Sequence, residues 1–164
     1  MNFSAKSEYG VRLMVALGRA GDDQPTSLKA IAASEGLPLS YLEHVVAALK
    51  RAGLVTASRG AHGGYRLARP AEEIAMDEVV VALEGQIAPM ECFVQVPTDR
   101  VACSHEGDRG QACSTKLLWL RVQGGVIRAL QSTTLAELVE FGEPGDPRPA
   151  PDAPPAVVHA GGRA

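Results

Sequence analysis

Three cysteines, Cys92, Cys103 and Cys113, stand close together in a 164-residue chain that has no others. Around them lie Asp99 and the run Ser104, His105, Glu106, Gly107, Asp108, Gly110 and Gln111. Such a polar, bendable stretch is a poor place for cysteine as apolar core filler and a good one for a loop that folds around a metal. Cys113 also precedes a helix start, where the partial positive charge of the helix end favours thiolate. Three thiolates are one short of the usual four ligands of a closed zinc site or an iron-sulfur cluster. His105, two residues past Cys103, is the local candidate for the fourth ligand. Glu8 is a remote candidate that a second copy of the chain would bring near. Each has a plainer explanation: loop histidines are common, and an acidic residue in a first helical turn already complements the helix dipole. On these residues alone a cluster, a zinc ion and bare redox thiols all stay open.

The compartment bears on that choice. No apolar run approaches the ~20 residues of a membrane span, and the start Met-Asn-Phe-Ser-Ala-Lys lacks the apolar stretch of a secretory signal. A cytoplasmic protein is therefore expected. In that reducing setting an odd number of cysteines argues for thiolate ligands or redox sensors over disulfides. No nucleotide-cradling loop, nucleophile paired with a base, or zinc-hydrolase motif is present, so the chain does not read as an enzyme. An iron-sulfur electron carrier is the less favoured alternative from another class.

The elements that would carry such a sensor are legible upstream. Leu28 to Leu67 reads as a helix-turn-helix followed by a two-stranded wing. Leu28, Ile31 and Ala32 recur at helical spacing behind the N-cap Ser27, and Gly36 breaks the helix after Ser34. Pro38 opens a second helix in which Leu42, Val45, Val46 and Leu49 share one face, until Gly53 ends it. The opposite face carries Ser40, Tyr41, Glu43, His44, Ala47, Lys50 and Arg51, groups suited to base edges and phosphates. Leu54 to Ser58 and Tyr65 to Leu67 are β-prone runs around Gly60-Ala61-His62-Gly63-Gly64, whose glycines are expected to supply the positive φ angles of a tight hairpin. Arg59 and Gly60 stand at the tip, where a guanidinium suits a minor groove or a phosphate.

Charge follows the same division. Residues 1–70 hold nine Lys/Arg against five Asp/Glu, and residues 71–164 hold seven against fourteen. A basic head on an acidic body fits a nucleic-acid partner despite the net charge of −3. Ser4 to Arg19 is expected to form a first helix and Asp77 to Glu84 a fourth. A long helix then runs from Ser114 or Thr115 through Leu130, with Leu117, Leu118, Trp119, Leu120, Val122, Val126 and Ile127 on nearly all sides. So apolar a helix needs cover on more than one face, which predicts a homodimer. Gly124-Gly125 permits either close approach of a partner helix or a kink. Thr134 and Glu137 spell a capping box for a last helix, Leu135 to Phe141.

The expected fold is mainly α: a winged helix-turn-helix domain (1–84) with a small β-hairpin wing, a cysteine-bearing loop (85–113), and a long C-terminal dimerisation helix with a short terminal helix (114–141). A Pro/Ala/Gly-rich tail (142–164) is expected to be disordered.

Ser7-Glu8-Tyr9-Gly10, Leu42-Glu43, Leu49, Ala52-Gly53-Leu54-Val55, Ser58-Arg59-Gly60, Gly63-Gly64-Tyr65 and Glu84-Gly85, followed by three cysteines, resemble the Rrf2 family of bacterial regulators over residues 1 to about 140. Within it the chain is most similar to the iron-sulfur-binding, IscR- and NsrR-like branch. The resemblance implies a homodimeric regulator, in the repressor mould, that binds double-stranded promoter DNA. It further implies an iron-sulfur cluster on Cys92, Cys103 and Cys113, 2Fe–2S favoured over 4Fe–4S, whose response to iron, redox or nitric oxide status controls promoter affinity. A metal-free cysteine redox switch is the alternative. In relatives an acidic residue in the first helix of the partner subunit, or a histidine just after the last cysteine, completes the coordination. Glu8 matches the first pattern, and Ser114-Thr115-Lys116 departs from the second. The cysteine spacing, ten and nine intervening residues, is wider than in the best-known members. Glu43 is the expected selector, because a carboxylate accepts from cytosine N4 and is repelled by phosphate. Its plainer role is an exposed charge paired with Lys50 or Arg51.

Overall fold

The computed structural model describes residues 3–21, 25–60, 63–88 and 114–141. The chain runs through α1 (Ala5–Ala20), α2 (Leu28–Glu35), α3 (Leu39–Arg51), β1 (Val55–Ser58), β2 (Gly64–Leu67), a 3₁₀ turn (Ala71–Glu73), α4 (Met76–Glu84), α5 (Ser114–Gln131) and α6 (Leu135–Phe141). The described residues are mainly helical with one antiparallel hairpin.

Local chemistry explains most boundaries. The Ser27 hydroxyl accepts from Ala30 N at 3.2 Å and so caps α2, and Gly36 stops that helix in the left-handed conformation with φ 64°. Pro38 occupies the N-cap of α3, one position before the first helical residue. The Thr134–Glu137 capping box is formed in both directions: Glu137 N donates to Thr134 Oγ1 at 3.3 Å, and Thr134 N donates to Glu137 Oε2 at 2.7 Å. The 3₁₀ turn before α4 has no signal in apolar spacing, being too short to show a period.

Around α1 one core assembles. Leu13, Met14 and Leu17 of α1 meet Ile31 of α2, Leu42, Val45 and Leu49 of α3, Val79 and Leu83 of α4, and Leu135 of α6, all at most 4% exposed. Each such side chain removed from water is worth about 1.5–3 kcal/mol. A Cβ added at Gly10 would fall inside Leu83 Cδ1, and one at Gly18 would come within 2.6 Å of Val139 Cγ2. Small residues at these two places let α4 and α6 close directly onto the α1 backbone. The start of α6 is stitched to the entry of α4, Met76 N donating to the Thr133 carbonyl and Leu135 N to the Ile74 carbonyl, both at 2.9 Å.

In the wing, Val55 pairs with Leu67 and Ser58 with Gly64. Its base is bound to α3, since Leu54 N donates to the Leu49 carbonyl at 3.0 Å. A further pairing joins the residue ahead of α2 to the wing: Thr26 N donates to the Tyr65 carbonyl at 2.9 Å, and Tyr65 N donates to the Thr26 carbonyl at 2.8 Å. This corrects the expectation for the glycines. Only Gly60 of the three described has a positive φ, 120°. Gly63 and Gly64 are needed for space, because a Cβ at Gly64 would lie 2.6 Å from the Thr26 carbonyl oxygen and one at Gly63 would press on the Ser58 carbonyl. Ala61 and His62 lie outside the described residues.

Candidate nucleic-acid interface and metal-ligand residues

α3 divides cleanly. Leu42, Val45, Val46, Ala48 and Leu49 are buried, whereas Ser40, Tyr41, Glu43, His44, Ala47, Lys50 and Arg51 are exposed. Ser40, Glu43, Ala47 and Arg51 follow one another at helical spacing, so they form a single stripe with His44 and Lys50 alongside. Arg51 folds back at the helix end, its Nε donating to the Ala47 carbonyl at 3.3 Å. Arg59 and Gly60 are exposed just beyond β1. The structure thus puts every predicted base- or phosphate-facing residue on open surface of the helix or of the wing attached to its end. Among the described residues Glu43 makes an ion pair with neither Lys50 nor Arg51.

Behind this surface stands a brace that the sequence did not announce. The rings of Tyr9 on α1 and Tyr41 on α3 meet edge to face, centroids 5.2 Å apart and planes at 79°. One turn further along α1, Arg12 Nε donates to Glu35 Oε2 at 3.2 Å and its Nη2 donates to the Glu35 carbonyl, gripping the last residue of α2. Pattern analysis of single helices is blind to such pairs, because each joins elements distant in sequence.

Of the metal-ligand residues, Cys92, Cys103, Cys113 and His105 lie outside the described residues. Among the described residues no three His, Cys, Asp or Glu side chains converge on a metal position. Glu8 is visible: it sits in the first turn of α1, its side chain 66% exposed, with Arg12 Nη1 at 4.0 Å. That turn is anchored by a second unforeseen group, Glu84 at the end of α4. Its Oε1 accepts from Ser4 N at 2.8 Å, from Ser4 Oγ at 2.6 Å and from the Ser7 hydroxyl at 2.6 Å, while Lys6 Nζ donates to the Leu83 carbonyl at 2.6 Å. Burial opposes ionisation of Glu84, but the Ser4 and Ser7 hydrogen bonds and the nearby Lys6 charge together outweigh it and hold its carboxyl below the ordinary value. Glu84 immediately precedes the segment that leads to the cysteines, so the same carboxylate ties the root of that segment to the turn bearing Glu8.

The Rrf2 family model, described as an iron-dependent transcriptional regulator, matches residues 3–141. The chain belongs to the Rrf2 family. It is 37% identical over 139 residues to protein rrf2 of Nitratidesulfovibrio vulgaris, covering 85% of this chain and 87% of that one. Among solved structures it is similar to CymR, the global cysteine regulator of B. subtilis, with TM-score 0.71 and 34% identity over 87% of this chain and 99% of the other. It is similar also to IscR of T. potens, with TM-score 0.69 and 33% identity over 87% and 89% of the two chains. The chain is accordingly a DNA-binding transcriptional regulator of winged helix-turn-helix fold, and not an enzyme. Among the described residues no helix is long and apolar enough to cross a membrane.

Proposed function

We propose that this Rrf2-family protein acts in the cytoplasm as a homodimeric repressor whose grip on promoter DNA is set by an iron-sulfur cluster. The observation that carries the DNA half of this reading is the exposed stripe of α3, with Arg59 beside it on the wing, over a fully closed core. In this reading Ser40, Tyr41, Glu43 and His44 meet base edges, while Lys50, Arg51, Arg59 and the Gly60 backbone meet phosphate or the minor groove. The dimer half rests on α5. Leu117 and Leu118 are 57% exposed, Leu120 48% and Val122 36%, and nothing lies within 4 Å of a Cβ added at Gly125, so this helix offers a second copy an apolar face with room for close approach. Two heads held by paired α5 helices would read half-sites about one helical turn apart.

Cys92, Cys103 and Cys113 would hold the cluster, 2Fe–2S in preference to 4Fe–4S, with Glu8 of the partner subunit as fourth ligand and His105 as the alternative. The donor set fits: three soft thiolates suit iron-sulfur chemistry, and Glu8 projects an open carboxylate from a well-anchored turn. When bound, such a cluster supplies a redox- and ligand-sensitive centre. The test is anaerobic purification from iron-replete cells, followed by absorption spectroscopy, iron and sulfide analysis, and a promoter-shift assay across a salt series. Visible colour, stoichiometric iron and sulfide, and promoter affinity that changes on cluster loss are expected. Serine replacement of the three cysteines should remove both colour and that change. A colourless, metal-free protein from this preparation refutes the cluster and leaves the cysteines as bare thiols.

A further inference from the structure

Tyr41 lies in the first turn of α3, the part of a recognition helix that approaches base edges most closely. It is only 36% exposed, because one side of its ring is taken by Tyr9. Tyr9 is itself half-buried and packs against the core. Its neighbour Gly10 lies directly against Leu83 of α4, so the α1 backbone at this point has no room to retreat. Arg12, on the same side of α1, meanwhile fastens the end of α2 through Glu35. The α1 surface at residues 9 and 12 therefore touches both helices of the helix-turn-helix, one on each side of the turn between them.

We infer that Tyr9 is a positioning residue for sequence readout: its ring holds Tyr41, and with it the first turn of α3, in the orientation that distinguishes one DNA sequence from another. This rests on the reading that the exposed face of α3 meets DNA. An exposed helical tyrosine samples several rotamers, and a partner that selects one before binding removes the ordering cost from the complex. Phosphate contacts made by long flexible side chains gain nothing from this brace. The effect should therefore appear in selectivity and leave non-specific affinity alone.

The test uses a duplex selected by the wild-type protein from a randomised library and a scrambled duplex of equal length and composition. Tyr9→Leu should weaken binding of the selected duplex by about 3- to 10-fold, the range set by an aromatic pair, with binding of the scrambled duplex unchanged. Tyr9→Phe should retain wild-type selectivity, since the ring and not the hydroxyl makes the contact. In a Tyr41→Ala background Tyr9→Leu should have no further effect. Tyr9→Met, which fills an irregular core gap well, repeats the measurement should Tyr9→Leu fail to fold. Equal losses on both duplexes, or the same loss with and without Tyr41, would overturn the inference while leaving α3 as the reading helix. If Tyr41→Ala itself left binding of the selected duplex untouched, that reading would fall too.

Discussion

In the helix-turn-helix head, apolar side chains from α1 to α4, the wing and α6 close over one another until no core member exceeds 8% exposure, whereas α5 leaves Leu117 and Leu118 at 57%. The head buries these side chains within one chain, leaving Leu39 and Val81 as its more exposed aliphatic residues. α5 does not: it packs against α4, and Gln123 Nε2 donates to the Ile87 carbonyl just past that helix at 2.8 Å, while Leu117, Leu118 and Leu120 stay exposed. Both helices α3 and α5 carry leucine and valine in quantity, so apolar content alone does not separate a helix buried in the core from one that leaves apolar residues exposed. What separates them is whether the opposite face is polar, as on α3, or apolar again, as on α5.

This contrast can be broken most decisively at α5. If α5 pairs two copies as proposed, changing Leu117 and Leu118 to Glu should turn a sedimenting dimer into a monomer with helical circular dichroism retained, because neither side chain supports the head; an unchanged mass would reject α5 as the pairing face. In the head the opposite response is expected. Leu42→Ala, at a fully buried position, should cost about 2–5 kcal/mol in denaturant unfolding, the usual range for a leucine-sized cavity. A loss below the low end of that range would mean that this core is looser than its burial indicates.

Glu43→Ala should leave folding unchanged and relax discrimination by about 1–3 kcal/mol at one base pair, measured as relative affinities across a randomised operator library. An identical preference profile would return Glu43 to the role of a plain surface charge. The smallest effect concerns the Glu84 clamp. Its carboxyl titrates below the ordinary value when folded, so the clamp contributes fully above pH 4.5 and is lost as pH falls through the lower folded value. Wild type should lose more stability on acidification below about pH 5 than Glu84→Gln does, by the linkage of proton binding to unfolding. Parallel curves would show that the hydrogen bonds of Glu84 do not depend on its charge.

Much of the fold was legible because its signals are local. Ser27, Gly36, Pro38, Thr134 and Glu137 act on backbone groups within a few residues, and the buried face of α3 repeats at helical spacing; none of this needs knowledge of the rest of the chain. The wing glycines are legible as a turn, and Gly60 has the positive φ expected of it. Gly63 and Gly64 answer to the Ser58 and Thr26 backbones, and the approach of Thr26 depends on how the segment before α2 crosses the hairpin. Of the predicted site, the exposed set on α3 emerged from periodicity alone, while Cys92, Cys103, Cys113 and His105 lie in residues 89–113, outside the described ones.

Sequence by itself therefore determined the helices with their caps and the polar and apolar faces of α3 and α5, since each depends on residue type at short spacing. Only the tertiary structure decided that α1 is the common support. It closes on α4 and α6 where Gly10 and Gly18 leave room, is clamped by Glu84, and reaches across to Tyr41 and Glu35. Those pairs join residues 23 to 80 positions apart at the hydrogen bonds and are set by helix rotation and approach, which no periodicity within one segment encodes.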